Sequence, residues 1–211
     1  MNIKKMPLGP MAANCYILWD DTTFDCAVID PVYAENKLSA FLAENQLNVT
    51  KILLTHGHFD HIGGVGFVKK IYPDAQVCIH PADADCLTNA GRNLSTLVGN
   101  PINFTAADVL LNEGDIVTVG NDSLRVIHTP GHSGGGLCFV GDDVIFTGDT
   151  LFCGSVGRTD FPDGDFQILL DSLDKVMDCG ANLKVCPGHG EDSDLAYERQ
   201  MNPFVRRRGQ W

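Results

Sequence analysis

Three imidazoles and a carboxylate crowd into Thr55-His56-Gly57-His58-Phe59-Asp60-His61, directly after the apolar run Val49 to Leu54. Imidazole nitrogen suits zinc, iron and other borderline divalent ions, and Asp60 adds an anionic oxygen that stabilises a second or harder ion. The bland alternative is a His-rich surface loop, but with seven His in 211 residues a shuffled chain would hold His-x-His-x-Asp-His only about once in a thousand. Three later segments supply what this loop lacks. They are His132 in Thr129-Pro130-Gly131-His132-Ser133-Gly134-Gly135-Gly136, Asp149 in Gly148-Asp149-Thr150, and His189 in Pro187-Gly188-His189-Gly190. A Gly-His or Gly-Asp turn is common by itself; the agreement of all three with the first loop carries the reading.

Each donor segment needs an element to aim it, and the pattern places each one after a strand. Cys15 to Leu18 and Cys26 to Ile29 predict a hairpin, with Asp20, Asp21, Thr22 and Thr23 as turn material. Asp30 closes the second strand. It reads as a turn residue and equally as an acceptor bracing the metal loop from behind. Leu38, Phe41 and Leu42 at helical spacing predict a helix over 34–45 that crosses to the strand Val49 to Leu54. A helix over 62–71, a strand over 76–79, a helical segment from His80-Pro81 with His80 structural, and an irregular connection over 91–108 follow. In the second half, 116–119 with 123–128 and 137–140 with 144–147 predict two more hairpins. Residues 166–177 predict a helix and 183–186 a strand. Four strand ends thus carry ligand-type residues.

The length predicts one compact unit over 1–211, in two similar halves, burying roughly 70% of its unfolded surface. The net charge of −12 argues against nucleic acid as a partner, because phosphate binding rests on basic surface. No leader-like stretch and no run of about 18 apolar residues appears, so neither membrane insertion nor export is expected and a cytoplasmic location is. The eight Cys sit singly without a C-x-x-C pair, and in a reducing compartment they read as small buried hydrophobes.

Taken together, these residues resemble the metallo-β-lactamase-fold superfamily, with Thr55 to His61 as its signature loop and His132, Asp149 and His189 at its later ligand positions. Within it the chain is similar to the short, one-domain glyoxalase II (hydroxyacylglutathione hydrolase) branch. That likeness rests on Gly148-Asp149-Thr150-Leu151-Phe152, Gly157-Arg158-Thr159-Asp160-Phe161-Pro162, and Tyr197-Glu198-Arg199 through Asn202-Pro203-Phe204. The resemblance implies an α/β (α+β) fold, a four-layer αββα sandwich, without the C-terminal helical domain that holds glutathione in longer relatives. It also implies that His56, His58 and His132 hold one metal, that Asp60, His61 and His189 hold another, and that Asp149 bridges them. Two divalent ions are expected, zinc first, with iron or manganese chemically admissible.

The expected chemistry is hydrolysis of a thioester, S-D-lactoylglutathione by resemblance, with a metal-bound water as nucleophile and Asp60 orienting it and taking its proton. Arg158, the only Lys or Arg between Arg125 and Lys175, is the expected contact for the anionic glutathione, the alternative being a surface Arg paired with Asp160 or Asp163. No role falls to Cys153, and no protein partner is inferred. One alternative within the superfamily is a mono-iron persulfide dioxygenase, which shares a Gly-Arg-Thr-Asp-Phe run. Another, of a different class, is a non-catalytic metal-binding interaction module.

Overall fold

The structure, a computed structural model, describes residues 1–206; positions 207–211 of the expected 1–211 unit lie outside the described residues. The chain begins with β1 (Asn2–Leu8), β2 (Ala13–Trp19), β3 (Asp25–Ile29), α1 (Asn36–Glu44), β4 (Asn48–Leu53), α2 (Phe59–Ile62), α3 (Val65–Ile71), β5 (Gln76–Ile79) and β6 (Val109–Leu110). Two 3-10 turns, Pro81–Leu87 and Ser95–Val98, lie between β5 and β6. It continues with β7 (Ile116–Val119), β8 (Asp122–His128), β9 (Leu137–Val140), β10 (Val144–Gly148), β11 (Leu151–Phe152), β12 (Ser155–Val156), α4 (Phe166–Asp178), β13 (Lys184–Pro187), β14 (Ser193–Asp194), α5 (Leu195–Met201) and α6 (Pro203–Arg206). The strands form two six-stranded sheets, β1-β2-β3-β4-β5-β6 and β14-β13-β10-β9-β8-β7, while β11 and β12 pair separately.

Period-two burial sorts the side chains into layers. From β2, Cys15 and Ile17 face the cluster that contains Leu38 and Leu42 of α1 and Val65 and Val68 of α3. Their neighbours Tyr16 and Leu18 face the other way and meet Val126, Phe139 and Phe146 of the second sheet. Ile127, Cys138 and Ile145 in turn pack on Leu173, Val176 and Met177 of α4. Three apolar clusters between four layers make the αββα sandwich. Strands with both faces covered read as continuous apolar runs, which is why Ala13 to Leu18 is buried throughout.

The predicted hairpins are β2–β3, β7–β8 and β9–β10, all antiparallel. The α1 crossover joins the parallel pair β3–β4. The helix expected over 62–71 is instead two pieces that start earlier, with Phe59, Asp60 and His61 in α2 and a break at Gly63-Gly64. The break has a steric cause: a Cβ on Gly64 would lie 1.7 Å from the Pro31 carbonyl oxygen. The charged strand β1, with Lys4 and Lys5, carried no expectation, and neither did β6, β11, β12, β14 or α5. Of the eight free Cys, Cys15, Cys26, Cys78, Cys86, Cys138 and Cys186 are buried as expected; Cys179 is half-buried and Cys153 exposed. No described helix is long and apolar enough to cross a membrane.

The close approach at Gly64 sets a stability expectation. Gly64→Ala should cost at least about 2 kcal/mol, as overpacking does. Gly134→Ala, whose added Cβ would meet only Ala82 at 3.8 Å, should stay within about 0.5 kcal/mol. Urea unfolding midpoints of the two variants check the contrast.

Candidate metal centre

The donor segments leave β4, β8, β10 and β13 at the same end of the two sheets, and their side chains converge. Three groups have donor atoms within 4.8 Å of one another: His56, His58 and His132; His56, His61 and Asp149; and Asp60, His61 and His189. Shared members knit them into one cluster. His58 Nδ1 lies 3.0 Å from His132 Nε2, and His61 Nε2 lies 3.3 Å from His189 Nε2. Asp149 sits centrally, with Oδ1 3.3 Å from His61 Nε2 and Oδ2 3.6 Å from both His132 Nε2 and His189 Nε2. Asp60 Oδ2 is 3.4 Å from His189 Nε2.

The outward nitrogens are tied, which turns the others inward. His61 Nδ1 is 2.8 Å from Asp30 Oδ2, and His132 Nδ1 donates to the Arg158 carbonyl oxygen at 2.7 Å. His56 Nδ1 lies 3.1 Å from Thr55 Oγ1. Such outer bonds fix ring orientation and tautomer at metal-ligating histidines. Within the cluster, His56 Nε2 is buried without a hydrogen-bond partner, and Asp149 Oδ1, though 3.3 Å from His61 Nε2, makes no well-aligned hydrogen bond. Buried polar atoms are seldom left so, because each costs about 1–3 kcal/mol. A divalent cation is the partner that a lone imidazole pair and a carboxylate oxygen accept together, so the donor set fits one.

The electrostatics agree. Burial, then the neighbouring His61 ring, holds the His56 imidazole well below its ordinary pKa, and burial with His132 brings His58 down to about 3. Both rings are neutral at neutral pH, the form in which nitrogen carries a free lone pair. At His61 burial opposes charge, but the carboxylates of Asp149 and Asp30 outweigh it and raise the value well above ordinary. Asp149 is held low against burial, chiefly by His61; Asp60 is held low against burial by its bond with His189. Positive charge is thus favoured at the centre of the cluster.

A cavity of about 420 Å³ opens over the cluster, walled by Met11, Phe59, Leu94, Phe152, Val156 and Phe161 among others. Arg158 lines it from an exposed position, where both prongs of its guanidinium donate to Asp160 at 2.5 Å and its Cζ lies 4.4 Å from the Phe161 ring centroid. Phe161 packs edge-on against His58 and His132.

The profile described as Metallo-beta-lactamase superfamily matches residues 8–189. The chain belongs to the metallo-beta-lactamase superfamily. Its similarity extends to the hydroxyacylglutathione hydrolase GloC of Haemophilus influenzae, at 32% identity over 97% of this chain and 98% of that one. Among solved structures it is similar to the BLEG-1 B3 metallo-beta-lactamase, at 35% identity, a TM-score of 0.91, and coverage of 97% and 99% of the two chains. It is also similar to TTHA1623, solved in a di-iron-bound form, at 35% identity, a TM-score of 0.83, and coverage of 95% and 99%. Superfamily members with such different names share the frame, so the frame alone does not choose the substrate.

Three further residues support this site: Asp83, outside every quoted motif, and Glu198 and Asn202, which belong to the C-terminal run that carried the likeness but received no role there. Asp83, 1% exposed, accepts hydrogen bonds from Gly57 N at 2.9 Å and Gly135 N at 2.7 Å, and so joins the loop of His56 and His58 to the loop of His132. Glu198 is fully buried, accepts from Gly154 N at 3.0 Å and, with Asn202 donating to the Ser155 carbonyl at 3.0 Å, anchors the β11–β12 hairpin that lines the cavity. Spacing could not reveal them, since each acts on a segment remote in sequence. Asp83→Ala would strand two buried N–H groups and should destabilise the fold by about 3 kcal/mol. Calorimetric or urea unfolding measures it; a change under about 1 kcal/mol would assign Asp83 no clamping role.

Proposed function

We propose that this chain is a dinuclear metallohydrolase that cleaves thioesters of glutathione, with S-D-lactoylglutathione as the reference substrate. The observation that carries the dinuclear reading is the set of three overlapping donor triads around Asp149, more donors than one tetrahedral centre takes. The glutathione reading is supported by the similarity to GloC. His56, His58 and His132 would hold one ion and Asp60, His61 and His189 the other, with Asp149 available to both. Bound dications would acidify water toward a pKa of about 7 and polarise the thioester carbonyl.

The protein's own groups do the rest. Asp60, ionised and accessible from the cavity, orients the attacking water and receives its proton at Oδ1, the oxygen that does not face His189. Asp30 keeps the His61 ring fixed from behind. No general acid is required for the leaving group, because a thiol of intrinsic pKa about 8.5 departs as its anion. Arg158 at the mouth binds a glutathione carboxylate, sharing its guanidinium with Asp160. At so exposed a guanidinium water and salt screen the pair, so its contribution to binding is modest.

Metal-loaded protein should contain two ions per chain by elemental analysis and should hydrolyse S-lactoylglutathione without consuming oxygen. Oxygen uptake with glutathione persulfide would instead select the mono-iron dioxygenase, and turnover of a β-lactam alone would select the activity named for BLEG-1. Asp149→Ala should lose both metal and at least about a hundredfold in kcat, whereas Cys153→Ser should stay within about threefold. Arg158→Ala should raise KM for S-lactoylglutathione about three- to tenfold with kcat little changed, the pattern of lost uniform binding. An equal effect on an uncharged thioester would assign Arg158 to the fold.

A further inference from the structure

Beside the central cavity lies a second one, of about 450 Å³, whose walls include Met11, Val32, Tyr33, Phe59, Val98 and Ile102. The two adjoin, sharing Met11, Phe59 and Asp60. We infer that this groove is an acyl-chain subsite, so that the preferred thioesters carry an extended apolar acyl group rather than lactoyl. The inference rests on the thioester reading above and concerns the substrate class of that same site.

Polarity divides the two sides of the centre. Among the residues lining the groove, only Asp60, at the junction, and the Tyr33 phenol ionise, and none is cationic. The guanidiniums lie on the other side: Arg158 lines the central cavity, and Arg92 lines a smaller one with His58 and Phe161. Glutathione carries two carboxylates, and in the groove it would meet only the Asp60 carboxylate. Its better place is the Phe161 side, where Arg158 and Arg92 can share their guanidiniums between Asp160 or Asp163 and its carboxylates, while the groove offers no cation. A thioester whose carbonyl lies at the Asp60 junction then directs its acyl group into the groove. The lactoyl group, with three carbons and a hydroxyl, leaves most of that space to water. Met11, Tyr33 and Val98 are 52%, 47% and 55% exposed, so an apolar chain would cover surface that is otherwise wet. Each methylene fully buried strengthens binding about fourfold.

Binding of S-methyl-, S-butyl- and S-octylglutathione, thioethers that cannot be hydrolysed, tests the subsite by calorimetry on the metal-loaded protein. S-octylglutathione should bind at least about thirtyfold more tightly than the S-methyl compound. Ala34 is exposed and lines the groove but not the central cavity. Ala34→Trp should fill the groove and bring the octyl-to-methyl ratio below about threefold; Val98→Asp should act in the same direction if the Trp variant does not fold. A flat series in the natural protein, or a preference that survives both substitutions, overturns the subsite. Parallel hydrolysis assays separate the two readings. Hydrolysis of S-lactoyl- and S-octanoylglutathione with equal kcat/KM and a flat binding series would reject the subsite and keep the hydrolase. A steep series lost in Ala34→Trp without hydrolysis of either thioester would reject the hydrolase and keep the subsite.

Discussion

The carboxylate of Asp30 is the contact on which the rest of the centre depends. It stands at the end of β3, 1% exposed, and accepts from Thr55 N at 2.8 Å, from Thr55 Oγ1 at 2.6 Å and from His61 Nδ1 at 2.8 Å. Its backbone N–H donates to Leu53 at the end of β4, so one residue ties two parallel strands at the point where the His-rich segment leaves the sheet. Because Thr55 Oγ1 also touches His56 Nδ1, a single carboxylate orients two rings, His61 directly and His56 through one hydroxyl. The backbone of Asp30 has φ of 49°, a left-handed conformation that costs a non-glycine residue about 1–3 kcal/mol, and three charge-assisted bonds outweigh that cost.

The second requirement is close approach of the later loops. A Cβ on Gly188 would lie 2.2 Å from Asp149 Oδ1, so only a glycine lets the His189 loop pass beside the central carboxylate. That loop is held by the opposite sheet: Asn14 Nδ2 and the Tyr16 hydroxyl of β2 donate to the Pro187 carbonyl at 2.9 and 2.8 Å, and Asn14 N donates to Gly188 O at 2.7 Å. Burial pushes the Tyr16 phenol well above its ordinary pKa and keeps it a donor. The distance between His189 and the His61 ring therefore depends on how the two sheets pack, and the Tyr16–Phe146 contact in the layer between them is part of the centre's support.

What could be read from the sequence follows from range. The hairpins, the α1 crossover, the α4 helix and the donors at four strand ends are local patterns, fixed by period and turn chemistry. The break at Gly63-Gly64 was hidden because it answers to the carbonyls of Pro31 and Val32, thirty residues upstream. Strand β1 was hidden because Lys4 and Lys5 interrupt its apolar pattern; Lys5 is explained only by its bonds to Gly190 O and Asp192. Asp83 looks like a surface acid in sequence, and only its buried amide partners give it a place. Arg158 lines the cavity and at the same time makes the pair with Asp160 that two-residue spacing allows, so both local readings of this Arg have a counterpart in the structure.

The chain's net charge of −12 says little about the field at the centre. Both guanidiniums near the cavity are matched, Arg158 by Asp160 and Arg92 by Asp163 at 2.5 Å, so the side chains at its rim contribute almost no net charge. Inside, Asp30, Asp60 and Asp149 face imidazoles of which His56 and His58 are held neutral, and the balance is negative. A dication placed among them would dominate the local potential and reverse it, as bound metal ions do wherever donors are buried. Phe161 sits between the two regions, edge-on to His58 and His132 and beneath Arg158. It holds the rim cation close to the centre without offering a polar atom that would compete for the rings. With such an ion bound, an acidic protein would present an anion-accepting cleft, because the charge met there is set by the ion and a few buried groups rather than by the surface.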